Sequence, residues 1–61
     1  MSSKDQVRDF LFYDRQTGEE FFVETTSPEE AQKIAHQYFE NPRLIDVYSV
    51  AEADILGYDT Y

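Results

Sequence analysis

The apolar positions of this chain fall into two strand-like runs, then a helical stripe, then a third run and a short helical close. Residues 7–13 read Val-Arg-Asp-Phe-Leu-Phe-Tyr, β-branched and aromatic, which predicts a strand. Asp14-Arg15-Gln16-Thr17-Gly18 follows. The aspartate can hydrogen-bond the turn backbone, and the glycine accepts the positive φ that closes such a loop. Residues 19–25 then form the second strand of a hairpin. A loop from Arg15 to Gly18 pairs Asp14 with Glu19, which sets Phe12 opposite Phe21 and Phe10 opposite Val23. Side chains alternate along a strand, so those four share one face, and Leu11, Phe22, Tyr13 and Glu20 share the other. A slip of one residue would scatter the four, so the pattern specifies the register. The same register sets Asp9 against Glu24, a repulsive pair that Arg8 or Lys4 is placed to soften.

Thr26-Ser27-Pro28-Glu29-Glu30 marks a helix start. Ser27 suits the N-cap, Pro28 the first helical position, and Glu30 completes a capping box. Ala31, Ile34, Ala35, Tyr38 and Phe39 follow at helical spacing, with Glu29, Lys33, His36 and Glu40 on the opposite side. The helix is expected over residues 28–40, ended by Asn41 as a left-handed cap and by Pro42. Residues 43–48 predict a third strand with Ile45 and Val47 toward the helix and Leu44, Asp46 and Tyr48 away from it. Ser49 and Glu52 form a second capping box, residues 50–56 a short helix with Gly57 as its natural stop, and residues 58–61 an aromatic tail. Residues 1–6 are polar and read as a frayed start to a single domain over residues 7–61.

The expected fold is α+β: a three-stranded antiparallel sheet in the order 2-1-3, with the main helix on one face and a short C-terminal helix. After a helical crossover the third strand runs parallel to the second. A right-handed connection therefore carries it across to the far side of the first strand. The order 1-2-3, with one parallel pair, is the alternative.

Composition narrows the chemistry. Five Lys and Arg stand against thirteen Asp and Glu, a formal net charge of −8. The bases, Lys4, Arg8, Arg15, Lys33 and Arg43, are scattered, so direct binding to nucleic acid or to an anionic membrane is not expected. Cysteine is absent, which excludes disulfides, thiolate metal sites and a thiol nucleophile. No apolar run is long enough to cross a membrane, and the first residues lack the apolar core of a secretory signal, so the expected compartment is the cytoplasm. The single histidine, His36, sits on the solvated side of the helix, and one imidazole supplies neither a triad nor a metal site. The acidic turn from Asp14 to Glu19 lacks the ligand spacing of an EF-hand. Neither glycine belongs to a phosphate-binding loop. No enzyme, cofactor or metal is expected.

Large side chains remain unaccounted for by a single core. Leu11, Tyr13, Phe22, Leu44 and Tyr48 all fall on the sheet face away from the main helix. An apolar face of this kind needs a cover: the chain's own C-terminal helix and tail, a second copy, or a different protein. The leading reading is a non-catalytic protein-interaction module that binds a protein partner, or itself, through these five residues. The alternative is an acidic decoy that occupies the groove of a nucleic-acid-binding protein with Glu19, Glu20, Glu24, Glu29 and Glu40.

Two segments carry a resemblance. Tyr13-Asp14-Arg15-Gln16-Thr17-Gly18-Glu19-Glu20-Phe21-Phe22-Val23-Glu24 and Glu52-Ala53-Asp54-Ile55-Leu56-Gly57-Tyr58-Asp59 make the chain similar to small acidic proteins of phages and prophages of Gram-positive bacteria. The shared features are a turn, caps and strands, with no catalytic residue among them. The resemblance implies a host-directed role, such as inhibition by charge mimicry.

The acidic excess generates a prediction. Eight uncompensated negative charges on so small a body repel one another. The thermal midpoint should therefore rise from low salt to about 0.5 M sodium chloride, where the Debye length is only a few Å. A falling midpoint would show that specific ion pairs outweigh the general repulsion.

Overall fold

The computed structural model describes residues 6–61. The expected frayed start lies, for residues 1–5, outside the described residues. The elements run β1 (Arg8–Asp14), β2 (Glu19–Thr25), α1 (Pro28–Tyr38), β3 (Pro42–Tyr48) and α2 (Val50–Leu56). The sheet order is β2-β1-β3, with both pairs antiparallel, as the crossover argument requires.

The hairpin has the register set by the four apolar residues: Phe10 opposite Val23, Leu11 opposite Phe22, Phe12 opposite Phe21 and Asp14 opposite Glu19. Asp14 organises the turn. Its backbone carbonyl accepts the Gly18 N–H at 2.7 Å, and its carboxylate accepts the Thr17 hydroxyl at 2.9 Å and the Thr17 N–H at 3.3 Å. Gly18 takes φ 79°, a region that a side chain would resist. The Asp14 carboxylate also accepts the Asn41 N–H at 3.3 Å, which ties the hairpin turn to the start of β3. A buried carboxylate is tolerated here because its lone pairs are used.

α1 begins as its sequence requires. The Ser27 hydroxyl accepts the Glu30 N–H at 3.2 Å, and Pro28 opens the helix. Both halves of a capping box form at Ser49 and Glu52, ahead of α2; at Ser27 only the forward half is found. Gly57 closes α2 with φ 77°.

α1 ends two residues before the expected point. Its cap is Phe39, in extended conformation with φ −135° and ψ 153°, not a left-handed Asn41. Leaving the helix here lets the Phe39 ring stack on Phe21 at a centroid distance of 4.1 Å. The first core then comprises Phe10, Phe12, Phe21, Val23, Ala31 and Ala35, edged by Ile34, Phe39 and Leu44. Tyr38 does not join it. It is 59% exposed and its ring packs on Tyr61.

β3 departs from strict alternation. Leu11 pairs with Asp46 while Phe12 pairs with Leu44, so Ile45 is the extra residue of a β-bulge. The bulge turns Leu44 onto the α1 face beside Phe12 and leaves Ile45 exposed. Val47, opposite Phe10, keeps the expected face but is also exposed. Within β3 the Val47 N–H is accepted by the Asp46 carboxylate at 2.8 Å.

The second face is covered by the chain itself. Ala53 of α2 packs on Leu11 and Phe22, and Tyr48 packs at their side. Beyond α2 the tail runs parallel to β2 along its outer edge. The Phe22 N–H donates to the Asp59 carbonyl at 2.7 Å, and the Tyr61 N–H donates to the Phe22 carbonyl at 2.8 Å. Alternation then sends successive tail side chains to opposite faces. Tyr58 lies against Phe22, whereas Tyr61 meets Phe21 and Phe39 edge-on at 5.5 Å each.

Phe22 is fully buried, as Phe12 is. Phe22→Ser should therefore destabilise the monomer about as much as Phe12→Ala, each by roughly 3–5 kcal/mol. That is comparable to the whole stability of a domain of this size. Chemical denaturation of the two variants side by side checks it, and a Phe22→Ser protein as stable as wild type would mean that α2 and the tail do not cover this face.

Candidate interaction surface

The pairings lay the second face out in three rows across β2, β1 and β3. The first is Glu20, Tyr13, Arg43; the second Phe22, Leu11, Asp46; the third Glu24, Asp9, Tyr48. The middle row is apolar where α2 covers it, and the flanking rows are polar.

Of the five residues expected to form an open patch, the structure brings four to this face. Leu11 and Phe22 are buried beneath Ala53 and are unavailable to a partner. Tyr48 is half-buried and Tyr13 is exposed. Leu44 belongs to the opposite face, because the bulge at Ile45 reverses the alternation that had placed it here. What solvent meets on this side is a rim of tyrosines and carboxylates around a covered centre.

Two tyrosines flank Phe22. The Tyr48 ring meets it edge-on at 5.9 Å, and the Tyr58 ring is tilted against it at 5.6 Å. Each phenol feels the charge of a carboxylate. A hydrogen bond to Asp46, reinforced by its charge, holds the Tyr48 hydroxyl above its ordinary pKa. A hydrogen bond to Glu20 and that residue's charge do the same for Tyr58. Both effects favour the protonated phenol, because ionisation would lose the donated hydrogen bond and set two negative charges side by side. α2 adds apolar surface on the same side of the molecule. It turns Ala53 inward and leaves Leu56 and Ile55 outward, Ile55 being 83% exposed.

Asp9 is the least comfortable group of the face. It is only 4% exposed, and its Oδ1 has no hydrogen-bond partner among the described residues. The backbone explains the crowding. Both polar groups of Phe22 turn outward to the tail, so Leu11–Phe22 is a non-hydrogen-bonded pair of the β1–β2 ladder. Two residues on, Asp9–Glu24 is again such a pair, the kind in which facing side chains stand closest. Burial raises the Asp9 pKa above its ordinary value, and the charge of Glu24 raises it further. The expected softening by Arg8 is not seen, since its guanidinium donates to Gln6 at 3.4 Å; Lys4 lies outside the described residues. Beside Asp9, a cleft of about 220 Å³ opens between the sheet, α2 and the tail.

The five glutamates of the decoy reading do not form one stripe. Glu19 alternates onto the α1 face, Glu20 and Glu24 onto the other. Glu29 lies in the first turn of α1 and Glu40 beyond its C-terminal end, so the two flank opposite ends of the helix. His36 is exposed in the last turn of α1. Among the described residues no group of three or more histidines or carboxylates is placed to hold a metal ion, and no helix is long and apolar enough to cross a membrane.

Two contributors to the surface were missed in the sequence. Tyr58 belongs to a tail whose Tyr-Asp-Thr-Tyr composition is aromatic and β-branched at alternate positions, a signal for an extended edge strand. The unpartnered state of Asp9 follows from its like-charged neighbour once burial of the row is known. No family model matches this chain, and comparison with characterised proteins and with solved structures finds no match.

The Asp9 environment predicts a pH dependence. Its folded-state pKa lies above the unfolded value, so the folded chain binds more protons in the window between the two. Its contribution to stability is therefore lost as pH rises through that window. Asp9→Asn should be more stable than wild type at pH 7, with the advantage shrinking as pH falls through that window and gone below about 4, near the ordinary aspartate value. Denaturation of both proteins at the two pH values checks the sign.

Proposed function

We propose that this chain is a small non-catalytic protein-interaction module. Its contact surface is the outer side of the second sheet face: Tyr13, Tyr48 and Tyr58 with Glu20 and Asp46, extended by Ile55 and Leu56 of α2. The observation that carries this reading is the packing of two partly exposed tyrosine rings against the buried Phe22, in a rim that holds Glu20 and Asp46. A ring held against a rigid core loses little conformational freedom on binding. Such aromatics supply much of the energy of protein interfaces. The carboxylates around them favour a partner with basic residues opposite, which adds specificity and speeds association. The acidic excess of the whole chain supports the same choice of partner.

The test is affinity capture from a bacterial lysate with wild type and with Tyr48→Ser and Ile55→Ser. Both substitutions leave the first core untouched, and Ile55 is largely in solvent already. A partner retained by wild type should be lost from both variants, each weakened by about 2 kcal/mol or more. A Gln37→Ser change on the exposed side of α1 should have no effect. Capture indifferent to Tyr48 and Ile55 would remove this surface from the interface. Concentration-dependent sedimentation of wild type alone would identify the partner as a second copy.

A further inference from the structure

The cleft beside Asp9 has a composition that selects a ligand class. Its wall includes three carboxylates, Asp9, Glu24 and Asp54, and among the described residues no lysine, arginine or histidine. Val50, Ala53 and the ring of Tyr58 supply an apolar side. Asp9 reaches this space by register: it lies on the same face as Leu11 and Glu24, which is the face that α2 and the tail enclose. It is more than nine-tenths buried, and one of its oxygens has no hydrogen-bond partner among the described residues. A buried carboxylate without a donor is costly, and a second carboxylate directly across the strand pair adds to that cost. A cation entering beside the pair offsets the charge of both carboxylates.

We infer that this cleft accepts the side chain of a lysine presented by a protein partner, with its ammonium at Asp9 and Glu24 and its aliphatic stem along Val50, Ala53 and Tyr58. A lysine suits the shape of the chemistry. The charge needs donors at the inner end, and the four-carbon stem needs apolar walls on the way in. A bare metal ion suits it less, since it would leave the apolar wall unused and the described carboxylates are not arranged as a ligand set.

This inference rests on the reading of the second face as a protein interface, but it is tested with a free probe that needs no identified partner. The isotope-labelled full chain is titrated by NMR with Nα-acetyl-lysine methylamide, with its neutral norleucine counterpart, and with calcium chloride alone. The lysine probe should give saturable shifts at the amides of Asp9, Ala53, Gly57 and Thr60, and the norleucine probe should not. Asp9→Asn should fold well, being relieved of the buried charge, and should bind the lysine probe about tenfold more weakly. Glu40→Gln, far from the cleft, should bind as wild type does. Equal shifts from both amino-acid probes, the absence of saturation, or equal loss in Glu40→Gln would each overturn the inference. So would saturation of the same amides by calcium in preference to the lysine probe. A Lys4→Gln chain that is less stable and binds the probe more tightly would show that the chain's own lysine fills the cleft, and would also overturn it. Failure of this titration leaves the Tyr48 and Ile55 result standing, and failure of that result leaves this one standing, so the two readings are separable.

Discussion

Two backbone hydrogen bonds at Phe22, one donated to Asp59 and one accepted from Tyr61, hold the second half of this structure in place. They pair the outer edge of β2, and by doing so they decide where each tail side chain lies. Tyr58 is delivered to one face and Tyr61 to the other, so a single short strand closes both cores. Short proteins bury a smaller fraction of their surface than large ones, so an aromatic sheet face left in water costs them proportionately more. Here α2 and the tail supply that cover without a disulfide or a metal. The hairpin register sets Asp9 against Glu24, and the cover laid over this face by α2 and the tail leaves Asp9 buried there.

Local signals in the sequence carried the fold a long way. The hairpin register follows from four apolar residues, the start of α1 from Ser27 and Pro28, and the strand order from crossover handedness. What escaped was long-range. The early end of α1 reflects the attraction of the Phe39 ring to Phe21, a contact between residues eighteen apart in sequence (39 − 21). Tyr38 satisfies the helical period yet lies in solvent, because the tail gives its ring a partner outside the core. The bulge at Ile45 has no signature in residue type. Only the need to seat Leu44 beside Phe12 and Tyr48 beside Phe22 requires an extra residue between them.

The candidate surface shows the same division. Tyr13 and Tyr48 were placed on the second face by alternation alone. Whether Leu11 and Phe22 were interface or interior depended on the course of residues 50–61, which no local pattern fixes. Once the tail is seen to pair with β2, the apolar centre becomes interior and the functional emphasis moves to its rim. The charged residues that looked like a border to the patch then become, with the tyrosines, the main chemistry this side exposes to solvent.

β3 is the remaining outer strand, and its composition has a consequence for behaviour at high concentration. Proline stands at its first position, a bulge interrupts its middle, and the Asp46 carboxylate occupies the Val47 N–H. Each of these removes or misdirects a group that a neighbouring molecule would need in order to continue the ladder. On the other side the tail covers the edge of β2 with a short pairing. The exposed Ile45 and Val47 therefore sit on an edge whose geometry disfavours continuation of the ladder by a neighbouring molecule.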